Sequence, residues 1–596
     1  MSINVGEVIA VRGVQVTLRI YEDSNIETLF YDGQKHKGIS IREYIGIKRG
    51  FSLIVGVVEG EYLDESRFLK DDEKINYIRK VDVKPIGYFE EGCFNDGIKV
   101  LPMIKDQAFL LSETQVEKIL SRGSDGTFKI GSSLKEGLPI SLPWQKLFNS
   151  HIGIFGNTGS GKSNTLTKIF TELFARNEGK APKNSTFVLI DFNGEYSGNQ
   201  LTTDKKRYTL STKKSVDLFP LNENYFWDSE ILSLLFQATP NTQKPFLNRV
   251  VKGREKYSTS SESTSNYFRA TFKKCFVTTS QKRETLDLLR EVCTILELGS
   301  IKDKISNVEW FGKDGKFKIN GAYLNGKEEE FEAIFGDIIE PFGFSILDAL
   351  IELRVRVNLQ LINDLLVGYA QFEHIQPLLK RIEASLNSLQ KVVEITNAST
   401  FLQSSFSVIS LRNCNQEVKK IIPLLIAKMC YQEHRNKVSN PPQSTFHLII
   451  DEAHNILSQQ SNREQESWKD YRLEMFEEII KEGRKFGFFL TLASQRPADI
   501  SPTIMSQVHN FFIHRLVNDK DLLLIDNTIN TLDAMSKGMI PNLSKGACVV
   551  TGTAFDLALL MQVDYIKDQK LRPASDDVDL EALWVKKEDE KEEAQA

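Results

Sequence analysis

HIGIFGNTGSGKSNTLTKIF, residues 151–170, runs from a short apolar strand into a glycine-rich loop and then into a helix with one apolar face. The strand is Ile152-Gly153-Ile154-Phe155, the loop begins at Gly156, and Leu166, Ile169 and Phe170 form the helix stripe. Every fixed position of G-x-x-x-x-G-K-[ST] is filled, in the strand–loop–helix context that the motif requires. Glycines let a backbone curl until its N–H groups and the helix N-terminus converge on one anion. Lys162 then reaches the β- and γ-phosphates of ATP, and the Ser163 hydroxyl ligates Mg²⁺. The competing reading is a glycine-rich turn that happens to precede a helix. It leaves the Lys-Ser register unexplained. The expected nucleotide-binding residues are therefore Gly156, Asn157, Thr158, Gly159, Ser160, Gly161, Lys162, Ser163 and Asn164.

A chain of 596 residues is too long for one core and should hold about three or four units. Its net charge of −5 excludes a global basic footprint for nucleic acid, so DNA contact must come from a local patch or a pore lining. Six scattered cysteines without a C-x-x-C pair argue against a zinc site and a disulfide framework, and fit a reducing compartment. No apolar run approaches membrane-spanning length, and MSINVGEVIAVRG lacks a signal-peptide layout. A cytoplasmic protein without a membrane partner is expected.

Residues 1–115 read as all-β. VGEVIAVRGVQVTLRI alternates apolar and polar residues about Gly13, and SLIVGVVEGEYL, VKPIGYFE and IKVLPMI read as further short strands. Glycines at the bends suggest a small barrel, with a plain sandwich as the alternative. Residues 116–146 read as a connector with a short helix (ETQVEKIL), a Gly/Ser-rich piece and the strand-like LPISLPW. An ATPase core over 147–200 and 400–565 follows from the motifs. Residues 201–399, dominated by helical periodicities and one hairpin-like piece, GKFKINGAYLNG, are too long for a loop and read as an inserted helical domain. Residues 566–596 read as an acidic tail.

Three further stretches carry chemistry. Phe187 to Ile190 reads as a buried parallel strand ending in Asp191, with Glu195 shortly after. A carboxylate there either faces the ligand crevice or caps a turn. STFHLIIDEAHNIL is an apolar strand ending in two acids: Asp451 would hold the Mg²⁺ shell and Glu452 would polarise the attacking water. LEMFEEIIKEGRKFGFFLTLASQRP reads as a helix, a stop at Gly487, a strand over Phe488–Leu492 and a polar tip, Ser494-Gln495-Arg496-Pro497. Gln495 beside the acidic strand end can sense a γ-phosphate. Arg484 and Lys485 stand at a helix C-terminus, where the dipole favours cations in any case.

In their order, GNTGSGKSNT, DFNGEY, LIIDEAHN, EGRKFG and SQRP, behind a glycine-flanked barrel, resemble the HerA-type ATPases, relatives of the FtsK translocases. The resemblance implies an α/β protein with a RecA-like P-loop core, a small N-terminal β-barrel like that of rotary ATP synthases, and a helical insert. It implies a homo-hexameric ring that moves double-stranded DNA. By motif, Arg484 is similar to the family's arginine finger acting in trans, and Gln495 to its sensor. It also implies a separate effector protein, a nuclease or a sirtuin-like NADase, and for bacterial members a setting in antiphage defence. A ring that only scaffolds such an effector is the alternative. A conjugation-type ATPase fits less well, given the barrel and the lack of membrane segments.

Overall fold

The computed structural model describes residues 3–24, 28–31, 34–66, 76–121, 127–214, 216–257, 263–324, 326, 328–339, 348–397, 404–459, 466–529, 531–574, 580 and 584. The chain forms two compact units, one of residues 1–180, 198–203 and 489–596, the other of residues 181–197 and 204–488.

The first unit starts with a closed barrel. In Gln15–Ile20, Val16, Leu18 and Ile20 are buried while Gln15 and Arg19 are exposed, the period of two that a half-buried strand needs. The same alternation recurs over residues 81–90 of Asn76–Glu90 and in Gln107–Leu110; with Asn4–Arg12, Tyr44–Arg49 and Ser52–Ser66 these make six antiparallel strands around one apolar core, which includes Val8, Ile45, Ile54 and Val81. The ring closes where Val16 pairs with Val83, so the barrel prevails over the sandwich. Closure needs sharp bending, and the long hairpin provides it at Gly56, where the register shifts and a Cβ would lie 2.4 Å from Val83. The strand expected over IKVLPMI does not form. Gln107–Leu110 fills that place instead, pairing with both Asn4–Arg12 and Tyr44–Arg49, and Ile98, Val100, Leu101, Met103 and Ile104 stay exposed.

After the helix Glu113–Ser121, the stretch read as a connector adds strands Thr127–Ser133 and Pro139–Pro143 to a sheet. Its order is Pro139–Pro143, Thr127–Ser133, Phe555–Val563, Ala547–Gly552, Asn510–Ile513, Ile152–Phe155 and Phe488–Ser494. Ile152–Phe155 is parallel to both its neighbours, and the other pairings are antiparallel.

The second unit holds four parallel strands in the order Thr445–Ile450, Ser185–Asp191, Phe406–Asn413 and Lys206–Ser211. The apolar runs of the first three are buried, as strands covered on both faces require. The insert leaves along Phe219–Asn222 and returns along Val393–Thr396, and these two segments pair in parallel. Between them lie helices such as Gln243–Lys256, Arg283–Ile295, Ala349–Val367 and Phe372–Leu389. The hairpin read from GKFKINGAYLNG is present as Lys316–Ile319 against Ala322–Tyr323, joined by Glu309–Phe311. Phe272, Phe276, Phe317, Phe331 and Phe335 stack into one aromatic core, with ring centroids 5.1 Å apart for Phe276 and Phe335. Of the helix read from FSILDALIEL, residues 344–347 lie outside the described residues. The rest follows Asp348, whose carboxylate caps the N–H groups of Leu350 and Ile351. Most of the acidic tail also lies outside them.

Candidate nucleotide site

The loop after Ile152–Phe155 is held at both ends by backbone. Gly156 N–H donates to Ser494 O at 3.3 Å, Asn157 N–H to Arg515 O at 2.8 Å, and Gly546 N–H to Ser160 O at 2.8 Å. Gly159 and Gly161 have φ of 73° and 116°, a region open to glycine and strained for other residues. At Gly161 space forbids a side chain as well, since a Cβ would lie 2.9 Å from the Gly546 Cα. Gly156, at φ 158°, is closed by space: its Cβ would lie 2.5 Å from that of His514. The helix Lys162–Ala175 starts directly after this curl, with Gly161 as its N-cap, so its first N–H groups face the anion-binding position.

Lys162 is 7% exposed, and its Nζ donates to the Asn157 carbonyl at 3.2 Å across the loop. That carbonyl also accepts from the Ser160 hydroxyl at 2.7 Å. The Asn164 amide is engaged away from the loop, where Nδ2 donates to Asp564 O at 3.1 Å and Oδ1 accepts from Ile566 N–H at 3.3 Å. The structure does bring Gln495 to the loop, where its Oε1 accepts from the Thr158 hydroxyl. Arg496, next to it in the chain, and Arg515 are exposed.

The other expected residues belong to the second unit. Thr445–Ile450 ends in Asp451 and Glu452, which are 2% and 9% exposed. The Asp451 N–H continues the strand pairing onto Ile190 O at 3.1 Å. Glu452 has φ 51°, left-handed backbone that costs a non-glycine residue about 1 kcal/mol. Its Oε2 lies 3.2 Å from Nδ1 of His454.

Asp191 settles the alternative left open for it. Its carboxylate accepts from the N–H groups of Gly194 (2.7 Å), Glu195 (3.0 Å) and Tyr196 (3.0 Å), so it caps the turn. Burial pushes this carboxyl above its ordinary value while the amide bonds act against that. Glu195 is 8% exposed and accepts from the Asn193 amide at 3.3 Å. Lys205 donates to Tyr196 O at 2.9 Å, and burial brings its pKa down to about 7.

Arg484 lies in the single turn Gly483–Phe486 that ends the helix Glu466–Glu482. Gly487, at φ 72°, stops the turn, and Gly483 has no room for a side chain because its Cβ would lie 2.8 Å from Phe488 O. Arg484 is exposed; Lys485 beside it pairs with Glu482 at 3.5 Å. The residue that sequence reading missed is His514. It is buried completely behind the loop, with ring nitrogens 2.9 Å from the Thr165 hydroxyl and 2.9 Å from Ala547 O. Its position in FFIHRLV gave no signal, because the contacts come from residues far away in sequence.

A lysine-bearing glycine cradle between parallel strands, and a buried acid pair ending another parallel strand, define a P-loop ATPase with a RecA-like α/β core. Among such ATPases the chain is similar to the HerA type: residues 128–321 match the family model described as "Helicase HerA, central domain". It is 21% identical to the DNA double-strand break repair helicase HerA of Sulfolobus acidocaldarius, over 90% of this chain and 87% of the relative. It is 20% identical to a probable helicase of Methanocaldococcus jannaschii, over 92% of this chain and 90% of that one. A solved structure of VirB4 of Thermoanaerobacter pseudethanolicus is 12% identical, with a TM-score of 0.41 over 74% of this chain and 98% of the other. No helix among the described residues is long and apolar enough to cross a membrane.

Proposed function

We propose that the protein acts as a homo-hexameric ring that hydrolyses ATP to move along double-stranded DNA in the cytoplasm. The observation that carries this reading is the cradle itself: glycines at 156 and 161 with no room for a Cβ, and a nearly buried Lys162 at the head of a helix. In this reading Lys162 exchanges the Asn157 carbonyl for the β- and γ-phosphates and stabilises the charge that shifts between them during transfer. Glu452 orients and polarises the attacking water. Gln495, already in contact with Thr158, senses the γ-phosphate. Ser163 and Asp451 would hold Mg²⁺, which would supply charge neutralisation at the phosphates. A hydroxyl and a buried carboxylate suit a hard cation that keeps most of its water. Exposed Arg484 serves as the finger for the neighbouring subunit's ATP. The reading includes a separate effector, a nuclease or a sirtuin-like NADase, and a role in antiphage defence or DNA-end processing, as the family resemblance suggests.

ATP turnover measured with and without linear double-stranded DNA tests it. A motor is expected to speed up several-fold on DNA. Turnover indifferent to DNA would overturn translocation and leave the ring as a scaffold for its effector.

A further inference from the structure

His514 sits where three elements meet. Its N–H donates to Phe155 O at 2.7 Å, which ties its backbone to the end of the P-loop strand. The Ala547 carbonyl can only accept, so the imidazole Nδ1 carries the proton there, and Nε2 accepts from the Thr165 hydroxyl. Thr165 is in the first turn of the P-loop helix, and its N–H donates to Gly161 O at 2.9 Å. The ring also bounds the loop from behind: a Cβ on Gly161 would lie 3.4 Å from His514 Cε1. Burial, helped by the Lys162 charge, lowers its pKa to about 4, so the imidazole is neutral and its two bonds persist at working pH. A neutral ring bonded at both nitrogens suits a geometric role.

We propose that His514 is the positioning residue of the nucleotide site: through Thr165 and Ala547 it fixes the first turn of the P-loop helix, and with it the reach of Lys162. The role rests on the reading of the P-loop as an ATP site. Lys162 must leave the Asn157 carbonyl and meet a phosphate within hydrogen-bond reach, and small errors of placement cost large factors in rate. Loss of the Thr165–His514 bond should thus appear in kcat more than in KM or stability.

The test uses the full chain with Thr165→Val, His514→Asn and the double variant. Asparagine keeps a donor near the Nδ1 position for Ala547 and gives up the bond to Thr165; valine removes the same bond from the other side. Each single variant is expected to lose about tenfold or more in kcat, with KM changed much less. The double variant should lose no more than either single one, because both remove one contact. Melting temperatures and binding of a non-hydrolysable ATP analogue report folding. Near-normal kcat in a folded variant, or losses that multiply in the double variant, would overturn the proposal. If His514→Asn does not fold, Thr165→Val decides alone by the same kcat criterion. Lys162→Ala separates the two levels: hydrolysis that survives it would sink the ATP site itself, whereas hydrolysis that dies with it leaves the His514 result to stand by itself.

Discussion

Lys162 and Glu452 are asked to do different things, and their substitutions should fail differently. Lys162→Ala removes the charge that meets the phosphates as they shift, so turnover should fall nearly to nothing. A steady-state ATPase assay checks this, and near-normal rates would remove the P-loop from the mechanism. Glu452→Gln keeps size and hydrogen bonding but loses the carboxylate proposed to polarise water. ATP should bind and stay uncleaved, and it should co-elute with the protein on gel filtration; a variant that fails even to bind would contradict the role. At this scale the sequence was most legible where chemistry dictates residue type and order, as in Gly156–Ser163 and Asp451-Glu452. It was least legible where the course of the backbone decides. Asp191 has the right residue type at the right strand end, yet the chain folds back so that three N–H groups occupy its carboxylate.

The P-loop works as an element because other elements hold its curve, and its glycines are not equivalent. Gly161 at φ 116° would set a Cβ 2.9 Å from the Gly546 backbone, whereas Gly159 at φ 73° faces open space. Gly161→Ala should therefore destabilise the nucleotide-free protein by about 2 kcal/mol or more, and Gly159→Ala by about 1 kcal/mol, the local strain alone. Thermal unfolding without nucleotide measures both, and equal losses would show that Gly546 does not confine the loop. The elements themselves were mostly readable, since alternation marks the barrel strands and continuous apolar runs mark the parallel ones. The exception is instructive. Ile98 to Ile104 has the composition of a strand, but the place between Asn4–Arg12 and Tyr44–Arg49 is taken by Gln107–Leu110. Partner availability is a tertiary property that no window of sequence contains.

For the whole molecule the decisive question is whether Arg484 acts within its own subunit or on the next one. As a plain helix-end cation it would contribute a few tenths to about 1 kcal/mol of stability, and Arg484→Ala would leave turnover mostly intact. As a finger in trans, its loss should cost about a thousandfold or more in turnover with ATP affinity much less changed. Mixing resolves it. If the finger acts in trans, Arg484→Ala and Lys162→Ala subunits should each be inactive alone, but a mixed ring would contain interfaces with an intact P-loop and an intact finger from next door. Partial activity is the expected outcome. A mixture that stays inactive while its subunits exchange would point to action in cis, or to a ring that fires only when every site is whole.

The insert joins the second unit through a neck in which Phe219 lies opposite Val393 and Asn222 opposite Thr396. Adjacent strands run about 4.8 Å apart and rise about 3.3 Å per residue, so the polypeptide that departs after Asn222 comes back about 11 Å from its point of departure. A handful of residues spans that gap. Such an excursion behaves as a cassette: it can grow, shrink or be exchanged over evolutionary time while the strands behind the neck keep their order. Lineages of this ATPase are thus free to diversify most between residues 223 and 392, and a chimaera spliced at the neck is the natural way to transplant whatever that region recognises.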